Sequence, residues 1–171
     1  MHHVHFILGF SHVCFLPALI KVVGKISQLT TSATSRKKNG KLIFQKLVTL
    51  FLLTMITFWS TLMHLSETKK SLVPENKWLL QNSNLFLNCD RFFAVVGTIY
   101  GFFYLVPSSI ASAPASAASS MTVRQAAKIF AILLLIQLIG EFASSSFNYW
   151  PYIICHLVWH FGVARIAYLF V

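Results

Sequence analysis

The chain has 171 residues, 56% of them hydrophobic and only 11% charged, and its 14 lysines and arginines outnumber four acids for a formal net charge of +10. A soluble domain carries charge on about a quarter of its residues, so this composition excludes an ordinary water-soluble enzyme and points to a membrane protein. The basic excess gathers in one loop beside apolar stretches, which is the signature of positive-inside topology and not of a nucleic-acid surface, so nucleic acid is not an expected partner.

Crossing ~30 Å of hydrocarbon takes about 20 apolar residues in a helix, and five stretches approach that length. The first runs from about His5 to Val23. Its amino end carries histidines in place of lysines and no small-x-small cleavage site follows, which predicts a retained anchor and not a cleaved signal. His2, His3 and His5 lie at a free end with nothing to fix a geometry, so terminal disorder is expected there, while the role of His12 stays open. Residues 24–41 follow as a basic loop containing Lys25, Arg36, Lys37, Lys38 and Lys41, which assigns it to the cytoplasm. The second span runs from about Leu42 to Met63 and the third from about Leu85 to Val106. Residues 107–124 are rich in Ala, Ser and Pro, which predicts a flexible connection, with an additional small-residue membrane helix as the alternative. The fourth span, about Ala126 to Phe142, is the shortest, and the fifth runs from about Tyr149 to Val171.

These continuous apolar runs lack the every-second-residue polar pattern of a barrel, and helices satisfy their own backbone groups in lipid. The expected fold is therefore an all-α polytopic transmembrane bundle of about five spans, one integral membrane domain over residues 1–171. The amino terminus falls on the outer or luminal side and the carboxyl terminus in the cytoplasm, in an endomembrane such as ER or Golgi or in the plasma membrane. Cys14, Cys89 and Cys155 are odd in number and lie in or beside apolar spans, so they read as small hydrophobes and not as a disulfide framework.

Polar residues inside such spans carry the chemical information. His156 and His160 stand four residues apart in the fifth span, and Ser60 and His64 repeat that spacing at the end of the second. Positions four apart share one helix face, so each pair can point at one spot. Asp90 lies near the start of the third span. The topology places Ser60, His64, Asp90, His156 and His160 at similar depth on the non-cytoplasmic side. His64, His156 and His160 would supply three nitrogen ligands, the number that leaves a catalytic zinc one open position. A histidine-rich bundle without metal and a bis-histidine haem are the alternatives weighed against zinc. Asp90 could instead pair locally with Arg91 at the interface, and Glu141 reads as an interfacial residue.

Ser-x-x-x-His, a later Asp, and a terminal His-x-x-x-His with Trp before its last His resemble the CREST superfamily of membrane hydrolases. That group includes alkaline ceramidases, adiponectin-receptor-type proteins, Per1 lipid-remodelling proteins and transmembrane-protein-8 relatives. The resemblance covers the second, third and last spans. It implies a seven-helix fold, here shortened, that binds zinc through His64, His156 and His160, with Ser60 and Asp90 beside the metal-bound water. It also implies hydrolysis of a lipid amide or ester, so membrane lipids are the expected partners.

The residue chemistry agrees with hydrolysis. Zinc on three neutral imidazoles lowers the pKa of its water to about 7. Asp90 could take a proton from that water as general base, or orient a histidine from behind, and the Ser60 hydroxyl could hold the water or the developing oxyanion. A nucleophilic serine is disfavoured, since no Gly-x-Ser-x-Gly elbow surrounds Ser60. The alternative function is a non-enzymatic, receptor- or fusion-like membrane protein with a structural metal site.

Overall fold

The computed structural model describes residues 8, 10–31, 39–66, 78, 81–107, 122–145 and 149–171. Almost every described residue is helical and none lies in a strand. A single 3-10 turn, His12–Phe15, enters helix α1, Leu16–Thr30; α2 spans Gly40–Ser66 and α3 Ser83–Tyr100, which continues through a π-helical turn, Gly101–Leu105; α4 spans Val123–Ser145 and α5 Tyr149–Phe170. Among the described residues five helices are long and apolar enough to cross a membrane, which marks an integral membrane protein with an all-α bundle fold. The outward faces fit that reading, since Phe103, Phe142 and Trp150 are each more than 70% exposed, a surface that water would not tolerate over so wide an area.

Local chemistry explains the boundaries. Pro17 sits in the first turn of α1 and has no N–H to donate backward, so the residues before it close a separate, tighter turn instead of extending the helix. At its other end α1 continues to Thr30, past Val23, because nothing between them breaks a helix strongly, and so Lys21 and Lys25 ride on α1 and not in a loop. Their long side chains can keep the charge at the interface while the stems lie along the helix. Of the basic loop expected over 24–41, residues 32–38 lie outside the described residues, as do His2, His3 and His5 and residues 108–121 of the Ala/Ser/Pro-rich stretch. Helix α4 opens with a capping box: the Gln125 amide N–H donates to Thr122 Oγ1 at 3.2 Å, and the Thr122 N–H donates to Gln125 Oε1 at 2.8 Å. Polar side chains within the spans satisfy themselves. Thr49, Thr54, Thr57, Thr61 and Thr98 each donate to the carbonyl four residues back.

Two tight hairpins result, α2 with α3 and α4 with α5, and α1 with its entry turn packs against α2 and α5. The α4–α5 contact depends on missing side chains. A Cβ at Gly140 would lie 2.8 Å from the Cys155 Cβ and 3.6 Å from the Tyr152 carbonyl, and one at Gly162 would overlap the Leu133 side chain. Small residues at such crossings let helices approach closely where lipid offers no hydrophobic drive. In the α2–α3 hairpin a Cβ at Gly97 would meet the Ile56 side chain, most closely at its flexible end, Cδ1, at 2.6 Å. The C-terminal end of α5 is fastened by lysines: Lys46 of α2 donates to the Val171 carbonyl at 2.8 Å and Lys21 of α1 to the Tyr168 carbonyl at 2.6 Å. Cations there also complement the negative end of the helix dipole.

Gly140→Ala should therefore destabilise the bundle by about 1–3 kcal/mol, the usual scale of overpacking, while Gly97→Ala costs clearly less because Ile56 can rotate away. Reversible unfolding of both variants in mild detergent would show this order. Equal effects would mean that α4 and α5 do not pack backbone to backbone.

Candidate metal centre

Three elements deliver imidazoles to one place. His64 ends the buried face of α2 that includes Leu53 and Ser60, and its ring is fully buried. On α5 the buried residues Tyr152, His156, His160 and Ala164 recur every fourth position and form one inward stripe. His12, on the 3-10 turn, is 2% exposed. The ring centroids of His64 and His156 are 4.6 Å apart, those of His156 and His160 4.4 Å, and those of His64 and His160 5.7 Å. His12 joins them at 4.1 Å from His160 and 5.6 Å from His64. The nitrogens of His12, His64 and His160 lie within 4.8 Å of one another, so these three buried histidines could hold a metal ion.

Hydrogen bonds fix the rings. The Ser11 hydroxyl donates to the Leu8 carbonyl and lies 2.5 Å from His160 Nδ1. A hydroxyl has one proton, already given to Leu8, so His160 must donate from Nδ1, which leaves the Nε2 lone pair to face the cluster. The Cys14 thiol also donates to the His160 carbonyl at 3.6 Å, so two polar contacts tie the entry segment to His160 of α5. His156 Nε2 lies 2.9 Å from His64 Nε2, and His156 Nδ1 lies 3.1 Å from Gln137 Nε2 of α4. Gln137 Nε2 in turn donates to Glu141 Oε1 at 2.8 Å, and this completes a polar line from α4 into the cluster.

A cavity of about 800 Å³ opens beside the histidines, lined by the 3-10 entry turn and by α2, α3, α4 and α5. His12, His156, His160, Ser60, Asp90, Gln137 and Glu141 contribute its polar wall, and aliphatic and aromatic side chains such as Leu53, Phe130 and Ile166 line much of the rest. The π turn of α3 adds Gly101, Phe102 and Leu105, consistent with the frequent occurrence of such turns at functional sites. Ser60 is buried and Asp90 half-buried. The structure thus brings His64, His156 and His160 into one cluster and puts Ser60 and Asp90 on the cavity that two of them line.

Sequence reading missed Ser11 and Gln137 and left His12 undecided. Only His12 left a local signal, a histidine inside an apolar run just ahead of a helix-starting proline. Comparison with protein-family models, curated proteins and solved structures returned no match.

If Ser11 sets the His160 tautomer, Ser11→Ala should weaken divalent-metal binding by roughly 10–100-fold, the usual effect of losing a support behind a metal-ligating histidine. Zinc competition against a chromophoric chelator would read it. An unchanged affinity would remove Ser11 from the site.

Proposed function

We propose that the protein is an integral membrane, zinc-dependent hydrolase that cleaves an amide or ester bond in a lipid. The observation that supports this most is the shared cavity: a largely apolar chamber whose polar end combines imidazoles with the Ser60 hydroxyl and the Asp90 carboxylate. Such a chamber suits an acyl chain with its carbonyl at the histidines. His64 and His160 belong both to the His64, His156, His160 pattern of the sequence and to the trio that lies together, so they are the ligands common to every arrangement. Zinc bound there would supply Lewis acidity and a water of lowered pKa. Asp90 accepts the proton of the attacking water, and Ser60 donates to the oxygen on which negative charge develops. The CREST resemblance supports the same assignment through Ser60, His64, Asp90, His156 and His160. The lysine-rich 24–41 segment faces the cytoplasm in this reading, which puts the chemistry near the opposite leaflet.

A second reading, a non-enzymatic protein with a structural metal, is favoured by one observation: four imidazoles are present, enough to fill a tetrahedral shell without water.

Asp90→Asn separates the two. It should leave metal content unchanged and reduce release of fatty acid from ceramide or glycerophospholipid by about 100- to 10,000-fold, the range for loss of a general base. Wild-type protein that holds zinc yet releases nothing from a broad lipid panel would favour the structural site. Cysteine labelling at residue 36 in intact and permeabilised cells tests the topology, with labelling expected only after permeabilisation.

A further inference from the structure

At the end of the bundle away from the histidines, Lys21, Lys25, Lys46 and Arg165 gather around the last turn of α5. We propose that these side chains form a binding site for an anionic phospholipid whose headgroup carries a phosphate monoester, as in phosphatidylinositol phosphate. The site stands on the membrane-spanning fold alone and needs neither the metal nor the hydrolase.

Three helices bring the cations together. Lys21 of α1 donates to the Tyr168 carbonyl at 2.6 Å, and its Nζ stands 4.5 Å from the Tyr168 ring centre. The Arg165 guanidinium lies 5.6 Å from that same centre, so about 10 Å at most separates the two charges. Lys46 of α2 is buried and donates to the Val171 carbonyl at 2.8 Å, less than one turn further along α5. Lys25 follows Lys21 by four residues and shares its face of α1. Lys21 and Lys25 both repel Lys46, and Lys25 and Arg165 repel Lys21. Tyr168 is exposed beside them, and a tyrosine ring suits the level of the headgroups.

Among the described residues none of these cations meets a carboxylate. Asp90 lies ten residues before Tyr100, whose hydroxyl donates to the Gln45 carbonyl next to Lys46, so it sits about 15 Å away along α3. Glu141 is held at Gln137 beside His156, about 14 Å from Arg165 along α5. Glu67 and Glu75 fall in sequence between the end of α2 at Ser66 and the start of α3 at Ser83. The negative end of α5 offsets roughly half a charge as a helix dipole, or one charge were Val171 to carry a free carboxylate, and about three positive charges stay unmatched. A phosphate monoester carries about −1.5 to −2 at pH 7 and offers three acceptor oxygens, and the diester of the same headgroup adds a further negative charge. A singly charged headgroup such as phosphatidylserine falls short of that balance. Arg165 can grip two phosphate oxygens side by side, while the lysines act as point charges.

The test uses the full chain in detergent micelles, with bound lipid counted by native mass spectrometry as phosphatidylinositol phosphate, phosphatidylserine or phosphatidylcholine is titrated in. One phosphatidylinositol phosphate should bind per chain in preference to the other two lipids. Lys25→Gln and Arg165→Gln should each weaken it roughly fivefold, and the double variant roughly 25-fold, the scale of one or two basic residues lost from an anionic membrane surface. Lys25 makes no side-chain hydrogen bond among the described residues, so its loss spares the fold, and Lys25→Arg should bind as wild type does. Lys128→Gln removes an exposed cation of α4 and should change nothing. An equal loss in Lys128→Gln, or equal binding of phosphatidylserine and phosphatidylinositol phosphate, would mean diffuse attraction and overturn the site. Displacement of the lipid by inorganic phosphate at equal concentration would make a free phosphate the occupant and overturn the lipid assignment.

Discussion

Four imidazoles buried together in an apolar bundle impose the condition that the rest of the structure meets. Each ring carries nitrogens that cannot be left bare in a low-dielectric interior, where a lost partner costs about 1–3 kcal/mol. His160 meets this through Ser11, His156 through Gln137 and His64 through His156. Because these partners come from the entry turn, α2, α4 and α5, satisfying them sets the register of four elements at once. A polar network of this kind specifies one arrangement more sharply than apolar packing, which tolerates sliding. Helices α2 and α5 depend on it most, since their backbones are not among the closely packed pairs. They are joined by His64 with His156 at one end and by Lys46 with the Val171 carbonyl at the other.

The cavity follows from the same division. Each hairpin closes tightly on itself, α4–α5 through Gly140 and Gly162 and α2–α3 through Gly97. Among the described residues no such close glycine approach joins one hairpin to the other, and space remains along the inner faces. The two ends of α5 differ in chemistry. Toward its C-terminal end lie Lys21, Lys46 and Arg165, with Lys21 and Arg165 both against the Tyr168 ring. Toward its N-terminal end lie the histidines.

Much of this was legible in the sequence, and the limit has a physical cause. Hydropathy over windows of about 20 residues revealed all five spans, because every backbone group in lipid must be satisfied within its own helix and the apolar run must match the membrane. Helical periodicity showed that His156 and His160 share a face and that Ser60 shares one with His64. Contacts between helices leave no such period. Nothing local to Ser11 announces a partner on α5, nothing local to Gln137 announces His156, and Glu141, four residues further on α4, reads as interfacial from its place near the span end. The end of α1 was misplaced at Val23 for a related reason: charges at Lys21 and Lys25 lower hydropathy without breaking a helix.

The acids give the final constraint. Asp90 and Glu141 are the only acidic residues among those described, and both line the cavity, in a chain whose net charge is +10. Carboxylates within a membrane span are costly and tend to face an interior with a cationic partner. Arg91 lines the same cavity and offsets one of them. Among the described residues, the histidine end is thus where acidic side chains and buried imidazoles share one cavity in an otherwise basic protein. A divalent cation gains from both, through direct ligation and through the surrounding field, whereas an anion would gain from neither.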